Sequence, residues 1–279
     1  MIIIKLRSNG IMKKFTRILS TVTAAALMAV TFTACSNSSS SGDKKGSIKF
    51  GTNAEFPPFE YVVSKGVIGE FDGIDMAIAK QIGDDNNKEA KIENMEFDSL
   101  LVALDNGKID AAIAGMTVTD ERKEKVDFSE PYYNAKQVMI VKEDSDISKA
   151  KDMQGKKIVV IQGYTGETCV KDLGFSYQSF KKGTEAVLEL VNGKCDVVVI
   201  DSATADKYVK DNKGLKIVED NDQFGNEEYA IAVKKGNKEL LDQINKSIKK
   251  MKESGKINEL AAKYADATDS DSSSEAESK

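Results

Sequence analysis

A few groups at loop-like positions set the chemistry this chain can do. Ala114-Gly115-Met116-Thr117 leaves an apolar run, Thr119 or Asp120 is placed to cap the next helix, and Arg122 follows. Gly115 has no side chain, so a ligand can approach the backbone there. Helix-start amides and the Thr117 hydroxyl can donate to an anion. Arg122 adds a planar fork suited to a carboxylate; its competing reading is a solvated charge within DERKEK. A second turn, Ile161-Gln162-Gly163-Tyr164-Thr165-Gly166-Glu167, passes from strand into helix. It can present amides to the same ligand, or be a plain glycine turn. It is not GxGxxG, so it implies no dinucleotide. Asp201 ends a third apolar run, where a carboxylate costs desolvation unless it caps the helix from Ser202 or meets a cation. An arginine with amides on one side and an aspartate on the other make a receptor for a zwitterion. The carboxylate of an α-amino acid would meet Arg122 and its ammonium Asp201. Phe56, Phe59 and Tyr61 around Pro57-Pro58, and Phe97 before Asp98, either wall such a site or belong to the core.

What the chain lacks narrows the field further. Among 279 residues there is no histidine, hence no Ser-His-Asp triad, no Cys-His dyad and no imidazole metal ligand. Cys35, Cys169 and Cys195 give no CxxC and no zinc spacing. Neither a metal nor a cofactor is expected. The formal charge is −5, and the first 34 residues hold five basic groups and no acid, so the remainder is more acidic still. An acidic body is a poor nucleic-acid binder, because binding phosphates needs clustered Lys and Arg. A binding protein is favoured over a hydrolase.

The first 34 residues are an address. Lys13, Lys14 and Arg17 precede an apolar stretch, Ile18–Phe32, that is 15 residues long. That is short of the ~20 a membrane-spanning helix needs, and the basic head followed by a short apolar middle reads as an export signal. Met12 is an alternative start. TFTAC followed by SNSSSSG resembles a bacterial lipoprotein box with its tether, with Phe32 where that box usually carries Leu. Cleavage before Cys35 would leave a lipid-anchored protein on the outer face of the cell membrane, with residues 35–46 as a flexible linker. An ordinary secretory signal is the alternative. The acidic, serine-rich segment 266–279 is expected to be disordered.

Between these ends the chain alternates strand and helix signals. Strands are expected at 48–51, 109–114, 137–141, 157–161, 197–200 and 229–233. Helices are expected at 73–83, from Asp98 to Gly107 burying Leu101 and Leu104, and at 184–192 and 202–210. A further helix at 237–253 should bury Leu240, Leu241, Ile244, Ile248 and Met251. One internal echo stands out. LVALDNGKIDAAIAGMTVTDER (101–122) lies over VLELVNGKCDVVVIDSATADKY (187–208) at a constant shift of 86. It reads as two similar open-sheet lobes, or as a coincidence common in alternating chains. In open sheets ligands bind beyond the carboxyl ends of the strands, here Gly115 and Asp201. Cys195 stands where Ile109 stands in the echo. It is either a small buried apolar group or half of a bridge to Cys169, which export would permit.

GTNAEFPPFEY (51–61), GEFDGIDMAIAKQI (69–82), EFDSLLVALDNGKIDAAIAGMTVTDERKEKVDFSEPYY (96–133) and KSIKKMKESGKINELAAKY (246–264) together resemble the polar amino-acid substrate-binding proteins of ABC importers, extracellular solute-binding protein family 3. The resemblance covers 47–265. It implies an α/β fold of the two-lobe, type II periplasmic-binding-protein kind, with a ligand cleft between lobes joined by two crossing strands. Lobe one would be 47–136 plus 230–265 and lobe two 137–229. It further implies a polar amino acid as ligand, an ABC permease as partner, and a monomer. By motif position Phe56 and Phe97 would sandwich the ligand, with Phe59 and Met116 beside them. Ala114, Gly115, Thr117 and Arg122 would hold its carboxylate. Thr165 and Gly166 would close from lobe two, Asp201 would take the ammonium, and Gln162 would face the side chain. Asn53 stands where many relatives carry Asp, which argues against a simple clamp for a basic side chain, though Glu55 could substitute. Two other functions fit the same fold: a domain that only signals, and a dehydratase using Glu167 or Glu55 as its acid.

Overall fold

The computed structural model describes residues 46–266, so the signal, the lipid-box Cys35, most of the tether and nearly all of the acidic tail lie outside the described residues. The strands gather into two main sheets. In spatial order the first holds Lys88–Asn94, Gly46–Thr52, Ala111–Ala112, Ala232–Lys234 and Val126–Phe128. Its first three strands run parallel, and Ala232–Lys234 runs antiparallel to both its neighbours. The second holds Tyr177–Phe180, Ile158–Ile161, Val197–Asp201, Tyr133–Lys142 and Leu215–Val218. Val197–Asp201 and Ile158–Ile161 are buried at every position, as continuous apolar runs covered on both faces should be.

Two chain segments pass between the sheets. Tyr133–Lys142 pairs through Tyr133–Lys136 with Asn226–Tyr229, then through Gln137–Lys142 with the second sheet. The strand expected at 229–233 is really two, Asn226–Tyr229 and Ala232–Lys234. Ala230 and Ile231 carry the chain from ribbon to sheet. The strand expected at 109–114 pairs only at Ala111–Ala112, because the chain then turns away toward Gly115 at φ 53°. All of Ile109–Met116 except Asp110 is nevertheless buried.

Helices pack as the apolar periodicity requires. Ile74–Asp85 buries Ile74, Ile78 and Ile82, and Lys238–Glu253 buries Leu240, Ile244, Ile248 and Met251. Leu241 is only half-buried, and Ser247 takes the inward place. The helix expected from Asp98 begins as a short 3-10 turn, Phe97–Ser99, and continues as Leu100–Asp105. Asp98 does not cap it; the buried pair is Leu100 and Leu104, with Leu101 half-exposed.

The echo is structural. Asp110 accepts the Lys49 amide at 2.8 Å, and Asp196 accepts the Lys157 amide at 2.7 Å. Gly107 and Gly193 both take positive φ, at 70° and 69°. Each copy therefore ties the start of its strand to the strand beside it through the same aspartate.

Candidate functional site

Gly115 sits where the first echo leaves its strand. Its positive φ favours glycine, and a Cβ there would collide with the Phe56 ring. Its amide is already engaged: it donates to Asp75 Oδ2 at 2.8 Å, and the Tyr132 hydroxyl donates to the same oxygen at 2.8 Å. The Gly115 amide is therefore already spent on Asp75 rather than free for a ligand carboxylate. Asp75 occupies the first turn of Ile74–Asp85, fully buried, and burial pushes its pKa up to about 6. Beside it lies Glu60, also fully buried. No N–H or O–H of the described residues reaches either Glu60 oxygen or Asp75 Oδ1, yet the two carboxyls lie within hydrogen-bond reach of each other. Desolvation first, and Asp75 second, hold the Glu60 pKa well above the usual carboxylate range. Burial beside Asp75 thus favours the neutral form of Glu60.

Arg122 is half-buried in the short helix Asp120–Lys125, whose first turn is capped by the Thr119 hydroxyl accepting from the Arg122 amide at 3.2 Å. Its guanidinium donates to the Thr117 carbonyl at 2.7 Å and to the Gly163 carbonyl at 2.9 Å, and it lies 5.2 Å from the Phe97 ring centroid. It is thus no solvated surface charge. Two of its five N–H donors are spent, which leaves three for a ligand.

Asp201 ends Val197–Asp201 and is buried. It stands at the N-cap of Ser202–Asp211 but makes no side-chain cap bond. Instead the Tyr229 hydroxyl donates to its Oδ1 at 2.5 Å. Desolvation and the nearby Glu227 raise its pKa to about 7. Glu227 is the convergence point of three side chains. Its Oε2 accepts from the Thr117 hydroxyl at 2.8 Å, the Thr165 hydroxyl at 2.8 Å and Gln137 Nε2 at 3.2 Å.

These groups surround a cavity of about 10 Å³ lined by Phe56, Phe97, Gly115, Thr117, Arg122, Tyr164, Thr165 and Asp201. That is scarcely room for one water, so an amino acid enters only if the walls part. On the far side of Thr117, Arg122, Thr165 and Glu227 lies a wider space of about 910 Å³ that extends to Lys123 and Lys125.

Seven of the expected residues therefore meet: Phe56, Phe97, Gly115, Thr117 and Arg122 and, from the second sheet's side, Thr165 and Asp201. Others do not reach the cavity. Phe59 is wholly buried and stacks under Phe56 with centroids 5.5 Å apart. Ala114 is buried behind Gly115, and Met116 lines only the wider space. Asn53 donates to the Met95 carbonyl and accepts from the Tyr164 hydroxyl. Gln162 is turned to Asp98 at 3.0 Å. Gly166 packs tightly against Gln137 and the Val199 carbonyl. Glu55 is bound by Lys182 at 2.9 Å; Glu167 accepts from Gly163 N and Ser179 Oγ. Cys169 and Cys195 are both free thiols, so the bridge is absent; burial pushes each up to about 11.

Residues 48–267 match the bacterial extracellular solute-binding proteins, family 3, and the chain belongs to that family. It is 32% identical over 246 residues to the arginine-binding extracellular protein ArtP of Bacillus subtilis, covering 86% of this chain and 94% of that one. A probable histidine-binding protein of Neisseria gonorrhoeae is 36% identical over 220 residues, covering 76% and 81%. Among solved structures, an ancestral arginine-binding protein bound to glutamine is similar at TM-score 0.73 and 42% identity, covering 78% of this chain and 97% of that one.

Proposed function

We propose that this chain is the extracytoplasmic amino-acid-binding component of an ABC importer, that its preferred ligand carries a cationic side chain, with L-arginine first, and that it catalyses no reaction. One observation supports the ligand class most: Arg122 faces two carboxyl groups, Asp201 at the cavity and Glu227 beside it. One guanidinium and one carboxylate balance a zwitterion, and the further carboxyl of Glu227 favours an added positive charge. The ligand carboxylate takes the free donors of Arg122 and the first amides of Thr165–Asp172. Its ammonium takes Asp201 and the Gly115 carbonyl, between the rings of Phe56, Phe97 and Tyr164. Residues 47–136 with 230–265 and residues 137–229 move as two bodies on the Tyr133–Lys136 and Asn226–Tyr229 ribbon. Cys35 carries the lipid anchor, and the protein works as a monomer that hands its cargo to a permease. The relatives that bind arginine and histidine support the same class. A dehydratase would need a poised acid, and Glu55 and Glu167 are each held by local donors.

Calorimetric titration with the twenty amino acids and cystine tests this. L-arginine, or failing that L-lysine or L-histidine, binds tightest. A neutral or acidic best ligand removes the cationic reading, and no heat with any of them removes the amino-acid reading. Loss of labelled fatty acid from a Cys35→Ser chain tests the anchor.

A further inference from the structure

The bond pattern at Glu227 goes beyond ligand contact. Thr117 belongs to the segment leaving the first sheet, and Thr165 opens a helix packed on the second. Their hydroxyls nevertheless donate to one oxygen, Glu227 Oε2, at 2.8 Å each. Gln137 Nε2 ties the arrangement together, donating both to that oxygen and, at 2.9 Å, to Thr165 Oγ1. Glu227 itself lies on the crossing ribbon, opposite Ala135.

The backbone fixes one side of this junction. Thr117 bridges to Tyr229, the Val118 amide donates to the Glu228 carbonyl at 2.9 Å, and the Ala230 amide donates to the Met116 carbonyl at 3.1 Å. Backbone bonds therefore tie Thr117 to the ribbon that carries Glu227, whereas Thr165 reaches Glu227 through side chains alone. Motion of Thr165 relative to the ribbon strains the Thr165–Glu227 bond, while the backbone bonds keep Thr117 beside Glu227. A hydroxyl has one proton to give, and a hydroxyl bonded to a carboxylate is among the stronger neutral donors. Other bonds also cross the cleft: Arg122 donates to the Gly163 carbonyl, and Tyr164 to Asn53, Gln162 to Asp98 and Lys182 to Glu55 sit among the aromatic rings or in partly exposed positions.

We propose that Glu227 is an interlobe latch: its carboxylate draws Thr117 and Thr165 together and stabilises the closed cleft independently of which amino acid is bound. It is a positioning residue, acting through two threonines that line the cavity. The inference rests on the two-body reading given above. A latch that closes the cleft with or without ligand must break for release, so it slows release and alters capture less.

The test compares the wild-type chain with Glu227→Ala, Glu227→Gln and Thr165→Val by small-angle scattering without ligand and by stopped-flow release of L-arginine. Glu227→Ala and Thr165→Val give a larger ligand-free radius of gyration. They also release L-arginine about tenfold faster, as expected for loss of a hydrogen bond to a charged group, with association changed less than about threefold. Glu227→Gln, which keeps an acceptor oxygen, recovers most of both properties. An unchanged radius with unchanged release overturns the latch. So does tighter binding by Glu227→Ala, which would make Glu227 a rival for the ligand carboxylate. If the wild-type chain binds no L-arginine, the ligand proposal fails while the scattering comparison still decides the latch. Should Glu227→Ala not fold, Thr165→Val removes the same bond from the other side.

Discussion

The two copies of the repeated segment reach the cleft with opposite chemistry. At equivalent places, offset by 86, one carries Gly115 and the other Asp201. In the first copy the acid stands one layer back: Asp75 holds the Gly115 amide, with buried Glu60 beside it raised well above the usual carboxylate range. In the second the acid stands at the cavity wall, bonded to Tyr229 and beside Glu227. Both pairs are desolvated, and burying an ion costs several kcal/mol. The first pair is sealed and can relieve the cost only by sharing a proton. The second borders the cleft and can be relieved by a ligand cation. One common scaffold thus places a sealed acid in one lobe and an acid at the cavity wall in the other.

The largest effects should separate these roles. Arg122→Ala and Asp201→Asn each weaken amino-acid binding by about 2–5 kcal/mol, because each strands a desolvated partner charge. Thermal melts of the ligand-free variants at pH 5, where Asp201 is protonated, should stay near wild type. Calorimetry and melting together check this, and wild-type affinity in either variant would move that residue out of the site. Asp75→Ala should do the reverse. It leaves the Gly115 amide and Tyr132 hydroxyl without their acceptor, at about 1–3 kcal/mol for each buried group. Stability should fall by several kcal/mol in denaturant titration, with binding following only through the displaced Gly115 loop.

The comparison sharpens with pH. Asp201 is raised to about 7 and Asp75 to about 6, both above their unfolded values. A raised acid contributes stability that is fully present below its unfolded pKa and is lost as pH rises through the folded value. So the ligand-free protein should melt lower as pH climbs from 5 to 8, with a shallower fall in Asp201→Asn. Ligand binding runs the other way, because the ammonium needs Asp201 ionised. Affinity should rise by up to about tenfold per pH unit below pH 7 and level off above it. Titration in buffers of different ionisation enthalpy should show proton release on binding near pH 6. A flat profile would place the ammonium elsewhere.

Much of this was legible in the residues, and the omissions have physical causes. The echo pointed to Gly115 and Asp201 because strand ends at an open sheet edge are fixed by topology. Arg122, Thr117 and Thr165 followed from turn chemistry. Asp75 was missed although it gave a signal: it sits beside Ile74 and Ile78 in the apolar stripe of its helix, a charge where the periodicity requires burial. Glu60 gave none, since a strand of three residues, Glu60–Val62, is too short to show a face. Glu227 and Tyr229 share a face at i, i+2, but only if the strand starts at Asn226. Reading it from Tyr229 hid the acid that joins the two threonines. Gln162 and Asn53 were drawn elsewhere by Asp98, Met95 and Tyr164, partners distant in sequence that no local pattern reveals.

The central claim is that Arg122 reads the α-carboxylate of a cationic amino acid, and one double comparison tests it most directly. L-arginine and agmatine, which lacks only the carboxylate, are titrated into the wild-type chain and into Arg122→Ala. The account predicts that wild type prefers L-arginine by at least about 2 kcal/mol, and that the preference collapses in the variant because the partner charge is gone. A variant that still discriminates between the two ligands as strongly as wild type would contradict it.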